Sequence, residues 1–586
     1  MYTNRWVMRE TDADLELMSR VLNIREITAN VMANRGIRSK NAALAFLAPS
    51  IDGLHDTLKM KDATKALERV AKAIPEEKIT IYGDYDADGI MSTVILHKLL
   101  RRLGADCNYY IPHRIDEGYG LNAGAVEKLA ESGTQLLITV DNGIAAVAEI
   151  ELANSLGIST VIIDHHEPME ALPPAAAIVD PKQPDCEYPF KELCAAGLAF
   201  KIAGALCRHM DVPFSERDEF LTLSAVATLC DIVKLADENR IIVNCGLVIL
   251  NADKLINPGL GSLIALRGYL DKLISTFTVG FVIGPCLNAT GRLESADLAV
   301  ELLLCEAGDT GRRIELAREL AELNETRKKL TSECVERVSA TLSAEGDLPK
   351  VLVITDEDAH ESVAGIVAGR IRENTGHPTI LLTQGDGAMK GSGRSIEAYN
   401  LFEALYSQRH LFIRFGGHAM AAGLTLPAEN IPVLRDALNR GCTLTDEDFR
   451  PIIHIDRVLA PEEITLALSD ELSRLAPFGK GNPEPLFVSY GLYAESVRAI
   501  DEKNTLIFTF VNNGRRLKGI AFGLNEHYAT AKAGVKAVEA ADDKSGGVLL
   551  DVVYSVETNE WNGNVDVQIR VWDFAFSCDG TLHYAV

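Results

Sequence analysis

The chain has 586 residues, 47% of them hydrophobic and 24% charged, which is ordinary for a globular protein and leaves room for about three to four domains. No apolar run reaches about 18 residues, which excludes a membrane-spanning helix, and the eleven cysteines stand singly without a C-x-x-C pair, which argues against a disulfide frame or a zinc site. A formal net charge of -25 argues against a protein that coats nucleic acid non-specifically, but it leaves room for a strand held in a local basic cleft.

The first residues, MYTNRWVMRE, carry charges and no apolar signal core, so a cytoplasmic location is the expectation. From residue 78 the pattern alternates. The strand KITIYG precedes the helical stretch GIMSTVILHKLLRRLGA, QLLITV precedes DNGIAAVAEIELANSLG, and STVII leads into DHHEP. Apolar β-rich runs separated by helical periods predict a parallel α/β sheet with crossovers. The stretch LTLSAVATLCDIVKL reads as a mostly apolar helix. Residues 296–346 are charged, helically periodic and free of proline, and read as long linker helices. VLVIT and TILLT open a second α/β unit near Lys350. After about residue 450, GLYAESVRAI, NTLIFTFV, RRLKGIAFG, GVLLDVVYSVE and NVDVQIRVWDF predict a small β-barrel.

The chemistry starts at GDYDADG. Asp84, Asp86 and Asp88 fall on alternate residues directly after a strand, where crowded like charges repel, more so at low dielectric. An EF-hand loop would need Glu at its twelfth position, which is Ile95, and a helix before it; a solvated acidic turn remains an alternative. Two more strands end in acid: LLITV in Asp141, and VII in Asp164 followed by His165 and His166. Ligand sites in parallel sheets collect at the carboxyl ends of the strands, so these groups should converge. Asp231 lies in an apolar stretch, where a metal ion or a salt bridge to Lys234 would offset its burial. Carboxylates with imidazoles fit Mn2+ or Mg2+ better than zinc, and a shared carboxylate could bridge two ions for phosphoryl chemistry.

DYDADG, VDNG, DHH and Asp231 resemble, in order, the four motifs of the DHH phosphoesterase superfamily. IPHRIDEGYGLN, GPCLNATGR, GSGRS, FGGHAMAAG, LAPFGKGNPEPLF and LKGIAFG are similar to its bacterial RecJ branch, the single-strand-specific exonucleases. The resemblance runs from about residue 48 to the C-terminus and is highly specific in this combination. It implies two Mn2+ or Mg2+ ions held by Asp84, Asp86, Asp88, Asp141, His165 and Asp231, with Asp141 bridging. His166 would aid the transition state beside the scissile phosphate, and Asp164 would orient the histidine pair. Other DHH branches carry an upstream histidine in place of Asp84. Arg114 and Arg292 match positions used around a 5′-phosphate. Two departures stand out: Cys286 where the family has a basic residue after Gly-Pro, and Ser362 where it has glycine.

Ser392 and Arg394 of GSGRS, read as lying beyond a strand in turn chemistry, could hold a phosphate by a hydroxyl and a guanidinium. In FGGHAMAAG, Gly417 and His418 precede a predicted small-residue helix whose first N–H groups would suit an anion. In the barrel, Phe508, Phe510, Arg515, Arg516, Lys518 and Trp561 are candidates for stacking and charge, although alternate aromatics in strands are more often core. The expected domains are an N-terminal segment (1–48), a DHH catalytic domain (49–285), linker helices (286–348), a DHH-associated substrate-binding domain (349–446) and an OB-fold single-strand-binding domain (447–586). The fold class is α/β with a C-terminal OB-fold β-barrel. The resemblance implies a 5′→3′ exonuclease on single-stranded DNA that releases 5′-mononucleotides in recombination and repair. By family analogy the partners are single-strand binding protein and a RecQ-type helicase, with no membrane, and the state is monomeric. The alternatives are a DHH phosphodiesterase of short oligonucleotides or cyclic dinucleotides, and a non-catalytic RecJ-like scaffold.

Overall fold

Four five-residue or shorter strands, Lys78–Tyr82, Leu136–Val140, Ser159–Ile163 and Ala177–Val179, are almost wholly buried on both faces in a computed structural model, which describes residues 4–385, 387–500, 504–523, 548–561 and 563–577. Such two-sided burial requires apolar side chains on successive positions, which is why KITIY, LLITV and STVII show runs and no alternation. With the edge strand Asp106–Tyr110 they form a five-stranded, all-parallel sheet in the order 106–110, 78–82, 136–140, 159–163, 177–179.

That order reverses direction between Lys78–Tyr82 and Leu136–Val140. The helix leaving the first strand, Ala87–Arg102, packs with Ile79, Ile81, Ile138 and Val161 on one face, together with Ala195–His209. Helices Ala123–Glu131 and Val147–Ser155 pack with Leu137, Ile162 and Ile178 on the other. Between diverging crossovers a crevice opens at the carboxyl ends of the strands. Register pairs Tyr82 with Thr139 and Val140 with Ile163, so the residues that follow each strand emerge level with one another.

The chain divides into two compact units. The larger comprises Pro49–Cys442 and Gly479–Asn482. Beyond the parallel sheet it holds helix Asp297–Leu304 and the 36-residue helix Thr310–Glu345, as the charged periodic stretch predicts. A second five-stranded sheet follows, in the order 414–418, 421–426, 389–394, 379–384, 352–355. The short return segment Gly479–Asn482 comes back to this unit, where the Leu235 N–H donates to the Lys480 carbonyl at 2.7 Å.

The smaller unit gathers Met1–Ala48, Thr443–Phe478 and Pro483–Val586. Its N-terminal strand Arg5–Met8 runs parallel to Ile452–Ile455, so the first 48 residues are structurally part of the C-terminal unit. Strands Phe487–Ile500, Thr505–Asn512, Arg515–Phe522, Asn564–Phe576 and Val548–Trp561 pair in turn, and the last pairs back to the first, closing a five-stranded barrel.

Three local expectations are corrected. FGGHAMAAG is no helix: Arg414–His418 and Ala421–Leu426 form an antiparallel hairpin. Glycine costs a helix about 1 kcal/mol per residue, whereas Ala422, Leu424 and Leu426 are buried at strand period. GSGR is likewise inside a strand, Met389–Arg394. A Cβ on Gly391 would lie 2.6 Å from Leu382 Cδ2, and one on Gly393 would lie 2.6 Å from Leu401 Cδ2, so both glycines serve close packing and no turn. The apolar helix Arg217–Cys230 ends before Asp231, and Ile232 takes the left-handed conformation at φ 56°.

Candidate metal centre and phosphate pocket

Asp84 leaves the Lys78–Tyr82 strand and turns at once against the next helix. A Cβ on Gly89 would lie 2.6–2.7 Å from Asp84 backbone atoms, so only glycine permits this approach. Asp86 is the N-cap of Ala87–Arg102, its Oδ1 accepting from the N–H groups of Asp88 at 2.9 Å and Gly89 at 3.2 Å. Asp88 points the other way, accepting from Ala195 N–H at 2.7 Å and Ala196 N–H at 2.8 Å at the start of Ala195–His209. Alternate spacing thus sends the three carboxylates to distinct tasks.

Asp141 follows the neighbouring strand in a left-handed conformation, φ 64°, a strained choice for a non-glycine residue. Its Oδ1 lies 3.0 Å from His165 Nε2. His165 Nε2 lies 3.8 Å from Asp88 Oδ2 and its Nδ1 3.9 Å from Asp231 Oδ2. Candidate ligand atoms of Asp84, Asp86 and Asp141 lie within 4.8 Å of one another, as do those of Asp88, His165 and Asp231, and those of Asp141, His165 and His166. Lys234 does not neutralise Asp231; it pairs with Glu192 at 3.6 Å.

This proximity has an electrostatic cost. Burial, then repulsion from Asp86, holds Asp84 well above the usual carboxylate range. Burial and the charges of Asp88, Asp86, Asp84 and Asp231 do the same to Asp141. Burial and Asp86 push Asp88 up to about 6 against its two N–H donors. Burial and Asp88 push Asp231 to about 7. Asp84 Oδ1 and Asp231 Oδ2 are buried and have no hydrogen-bond partner among the described residues. Orphaned oxygens in a carboxylate-rich set with imidazole fit a hard divalent cation such as Mn2+ or Mg2+.

Asp164 behaves differently. Its Oδ1 accepts from His165 N–H at 2.7 Å, His166 N–H at 3.2 Å and His166 Nδ1 at 2.7 Å, and its Oδ2 accepts from Ile144 N–H at 2.9 Å. Burial raises its pKa, but these bonds and the histidine charges outweigh it and bring the carboxyl down to about 2. Burial opposes the His166 charge, but Asp164 wins and raises it to about 9. Burial and His166 lower His165, keeping it neutral as a ligand must be.

Arginines surround one side of this centre. Arg114 stacks over Tyr85, its Cζ 4.9 Å from the ring centroid. Arg292 lies in the last turn of the helix Gly284–Leu293 and donates to the Ser362 carbonyl at 3.0 Å. That helix also touches the acidic loop, since Ala87 N–H donates to Asn288 Oδ1 at 2.8 Å. Arg394 donates to Ser392 Oγ at 3.2 Å and to the Gly393 carbonyl at 2.8 Å. Burial lowers Arg292 to about 10, with repulsion from Arg114 second; burial lowers Arg394 also, with Arg372 and Arg114 adding to it. Gly417 and His418 do not join this cluster by contact. They lie on the exposed hairpin, where His418 Nδ1 accepts from Met420 N–H at 3.1 Å. His418 is level with Ala421, and Ala421 with Arg394, which places it two strands, roughly 10 Å, from Arg394.

The departures Cys286 and Ser362 are both buried. Ser362 Oγ lies 2.7 Å from His360 Nδ1. In the barrel, Phe508 and Phe510 are core and unavailable for stacking, whereas Arg515, Arg516 and Lys518 are exposed, Arg516 pairing with Glu495. The side chain of Trp561 lies outside the described residues.

Two residues near the centre escaped the sequence reading. Tyr119 Oη lies 3.4 Å from the Asp141 carbonyl and 3.2 Å from His166 Nε2; its signal was its place in IPHRIDEGYGLN. Asp180 follows the strand Ala177–Val179 and is fully buried with Oδ2 unpartnered. The stretch AIVDP repeats the strand-then-acid form of the other three and could have been found by it.

Family models match three segments: the DHH family, N-terminal domain, over residues 78–228; the DHHA1 domain over 348–443; and the RecJ OB domain over 455–573. The single-stranded-DNA-specific exonuclease RecJ of Bacillus subtilis (strain 168) is 38% identical over 580 residues, 98% of this chain and 71% of that protein. That of Escherichia coli (strain K12) is 33% identical over 586 residues, 96% of this chain and 97% of that protein. RecJ from Thermus thermophilus, solved in complex with Mn2+, matches 98% of this chain and 80% of its own at 28% identity and TM-score 0.81. In complex with Mg2+ it matches 98% and 79% at 26% identity and TM-score 0.75.

Proposed function

The chain belongs to the RecJ family of single-stranded-DNA-specific exonucleases, and from that premise we propose that it is a metal-dependent 5′→3′ exonuclease that degrades single-stranded DNA to 5′-mononucleotides. One observation carries the assignment of the centre: five carboxylates and His165 converge at the sheet's switch point with buried oxygens left unpartnered. Asp84, Asp86, Asp88, Asp141, His165 and Asp231 would hold two Mn2+ or Mg2+ ions, with Asp141 between the two ligand groups. Such an ion pair supplies an activated water and charge neutralisation at the phosphodiester.

The remaining work falls to the chain's own side chains. Asp164 orients the His166 ring, with Nδ1–H toward the carboxylate, and favours its protonated form. His166 Nε2–H, which here points at Tyr119 Oη 3.2 Å away, would donate to a phosphoryl oxygen as negative charge develops there. Tyr119 steadies that nitrogen from the side. Arg114, Arg292, Arg394 and Ser392 would take the 5′-phosphate, and Gly417 and His418 would meet the strand from the exposed hairpin. Exposed Arg515 and Lys518 would track the strand's phosphates on the barrel. We further propose that the chain acts in DNA recombination and repair, as a cytoplasmic monomer with single-strand binding protein and a RecQ-type helicase as partners. A phosphodiesterase of short oligonucleotides and a non-catalytic scaffold are not favoured, because the full-length relatives are exonucleases.

The test is a comparison of 5′- and 3′-labelled single-stranded DNA with Mn2+. A 5′ label should appear at once as mononucleotide, while a 3′ label should pass through a ladder of shortening strands. Release of the 3′ label first, or cleavage undiminished by a chelator, would overturn the proposal.

A further inference from the structure

Arg327, on the long helix Thr310–Glu345, belongs to none of the assignments above. Its Nε and Nη2 donate to one atom, Asn324 Oδ1, at 3.1 and 2.9 Å. Asn324 is wholly buried, and its Nδ2 donates to Cys286 Sγ at 3.5 Å. The Cys286 thiol spends its own proton on the Val282 carbonyl at 3.2 Å, leaving sulfur lone pairs to accept. One turn further along, the wholly buried Thr331 donates to the Arg327 carbonyl at 2.8 Å. The guanidinium is therefore held on one side by Asn324, and Cys286, which holds Asn324, sits on the helix Gly284–Leu293 that carries Arg292 in its last turn.

Arg114, Arg292, Arg327 and Arg394 come from a loop, two helices and a strand, and none forms an ion pair with a carboxylate among the described residues. A guanidinium has five N–H donors, and Arg327 uses two of them on Asn324. The Asn324–Cys286 bond ties the Arg327 helix to the helix Gly284–Leu293 that carries Arg292, and repulsion from Arg327 is among the causes that lower Arg292. Like charges held together and partly out of water are costly unless a partner neutralises them in the working complex. The Cys286 thiol thus holds the residue that aims Arg327.

We propose that Arg327 is a further strand-binding residue, gripping a backbone phosphate of the single strand together with Arg292, and that Asn324, held by Cys286, is its positioning residue. This rests on the nuclease reading above, which supplies the strand.

The experiment uses the full chain and a fluorescent single-stranded oligonucleotide. Binding is read by anisotropy with chelator across a NaCl series, and cleavage with Mn2+. Arg327→Ala should raise Kd and KM about tenfold, the loss of one charge-assisted contact, with kcat within about twofold. The slope of log Kd against log salt should become shallower by about 0.7, one phosphate contact on a single strand. Arg327→Lys keeps the charge and should restore the slope. Asn324→Leu should raise KM while leaving the slope intact, because the guanidinium remains but is no longer aimed. Unchanged Kd and slope in Arg327→Ala, or a loss of kcat at unchanged Kd, would overturn the inference. Failure of the unaltered protein to cleave single strands would instead refute the nuclease reading, and the anisotropy arms would still decide the role of Arg327.

Discussion

Replacing Asp164 with Asn keeps the shape of the side chain and removes the charge that organises both histidines. The wild-type carboxylate is fully buried and sits at about 2, displaced from an ordinary 3.8; at 1.36 kcal/mol per unit this is roughly 2–3 kcal/mol of stability at neutral pH. His166 is the other end of the same interaction but 44% exposed, so the buried carboxylate is the better measure of the pair. The amide adds a second penalty. Whichever way it is turned, its NH2 faces a donor, Ile144 N–H on one side or three N–H groups on the other, which costs about 1–3 kcal/mol more. The total, about 3–5 kcal/mol, agrees with the usual cost of breaking a buried pair. A depressed carboxylate contributes above its unfolded pKa and loses that contribution as pH falls through its folded one. A raised histidine contributes below about 6.5 and loses it as pH rises through about 9. The pair is thus at full strength between about pH 4 and 6.5. The assay is hydrogen exchange of peptides from the larger unit, because all three tryptophans, Trp6, Trp561 and Trp572, lie in the smaller one. Their fluorescence serves as an internal control that should not shift. Nuclease activity should fall about 10- to 100-fold as His166 loses its orientation. An unchanged exchange midpoint at pH 7, or a deficit that does not shrink by about 1 kcal/mol between pH 5 and 3, would refute the reasoning.

Asp141→Ala should retain the fold, lower nuclease activity at least about 10³-fold and lose bound Mn2+ by titration calorimetry, since this carboxylate belongs to two of the ligand groups. Gly89→Ala should cost about 1–3 kcal/mol by displacing the Asp84 backbone from the added methyl, and Mn2+ affinity measured on the same variant should fall about tenfold or more. Lys201→Met leaves Glu238, fully buried and 2.6 Å from the lysine in the wild type, without its cation. Chemical denaturation followed by hydrogen exchange in the larger unit should show a loss of about 3–5 kcal/mol, with metal affinity of the folded fraction unchanged.

The metal centre was legible because its signals are local. Asp84, Asp86, Asp88, Asp141 and Asp164 each follow a run of buried apolar residues, and a parallel sheet sends every such run to the same edge. The hairpin at His418 was misread for the opposite reason. Alanines favour a helix by propensity, but Ala422 and Leu424 are held at strand period by burial beside Leu401 and Leu434, partners remote in sequence. The same holds for GSGR, whose glycines answer to Leu382 and Leu401 across the sheet rather than to a turn. The barrel aromatics Phe508 and Phe510 alternate just as a stacking platform would, and only closure of the barrel puts them inside.

By itself, then, the sequence determined the layered α/β catalytic sheet, the order of its acidic strand ends and the barrel that follows, since hydrophobic period and strand-end chemistry act over a few residues. Tertiary structure decided which charges share a space: that Asp231 faces His165 and leaves Lys234 to Glu192, and that Arg114, Arg292, Arg327 and Arg394 make no ion pair with a carboxylate among the described residues. Coulomb energy depends on distance through space, and distances among residues hundreds of positions apart are set by packing alone.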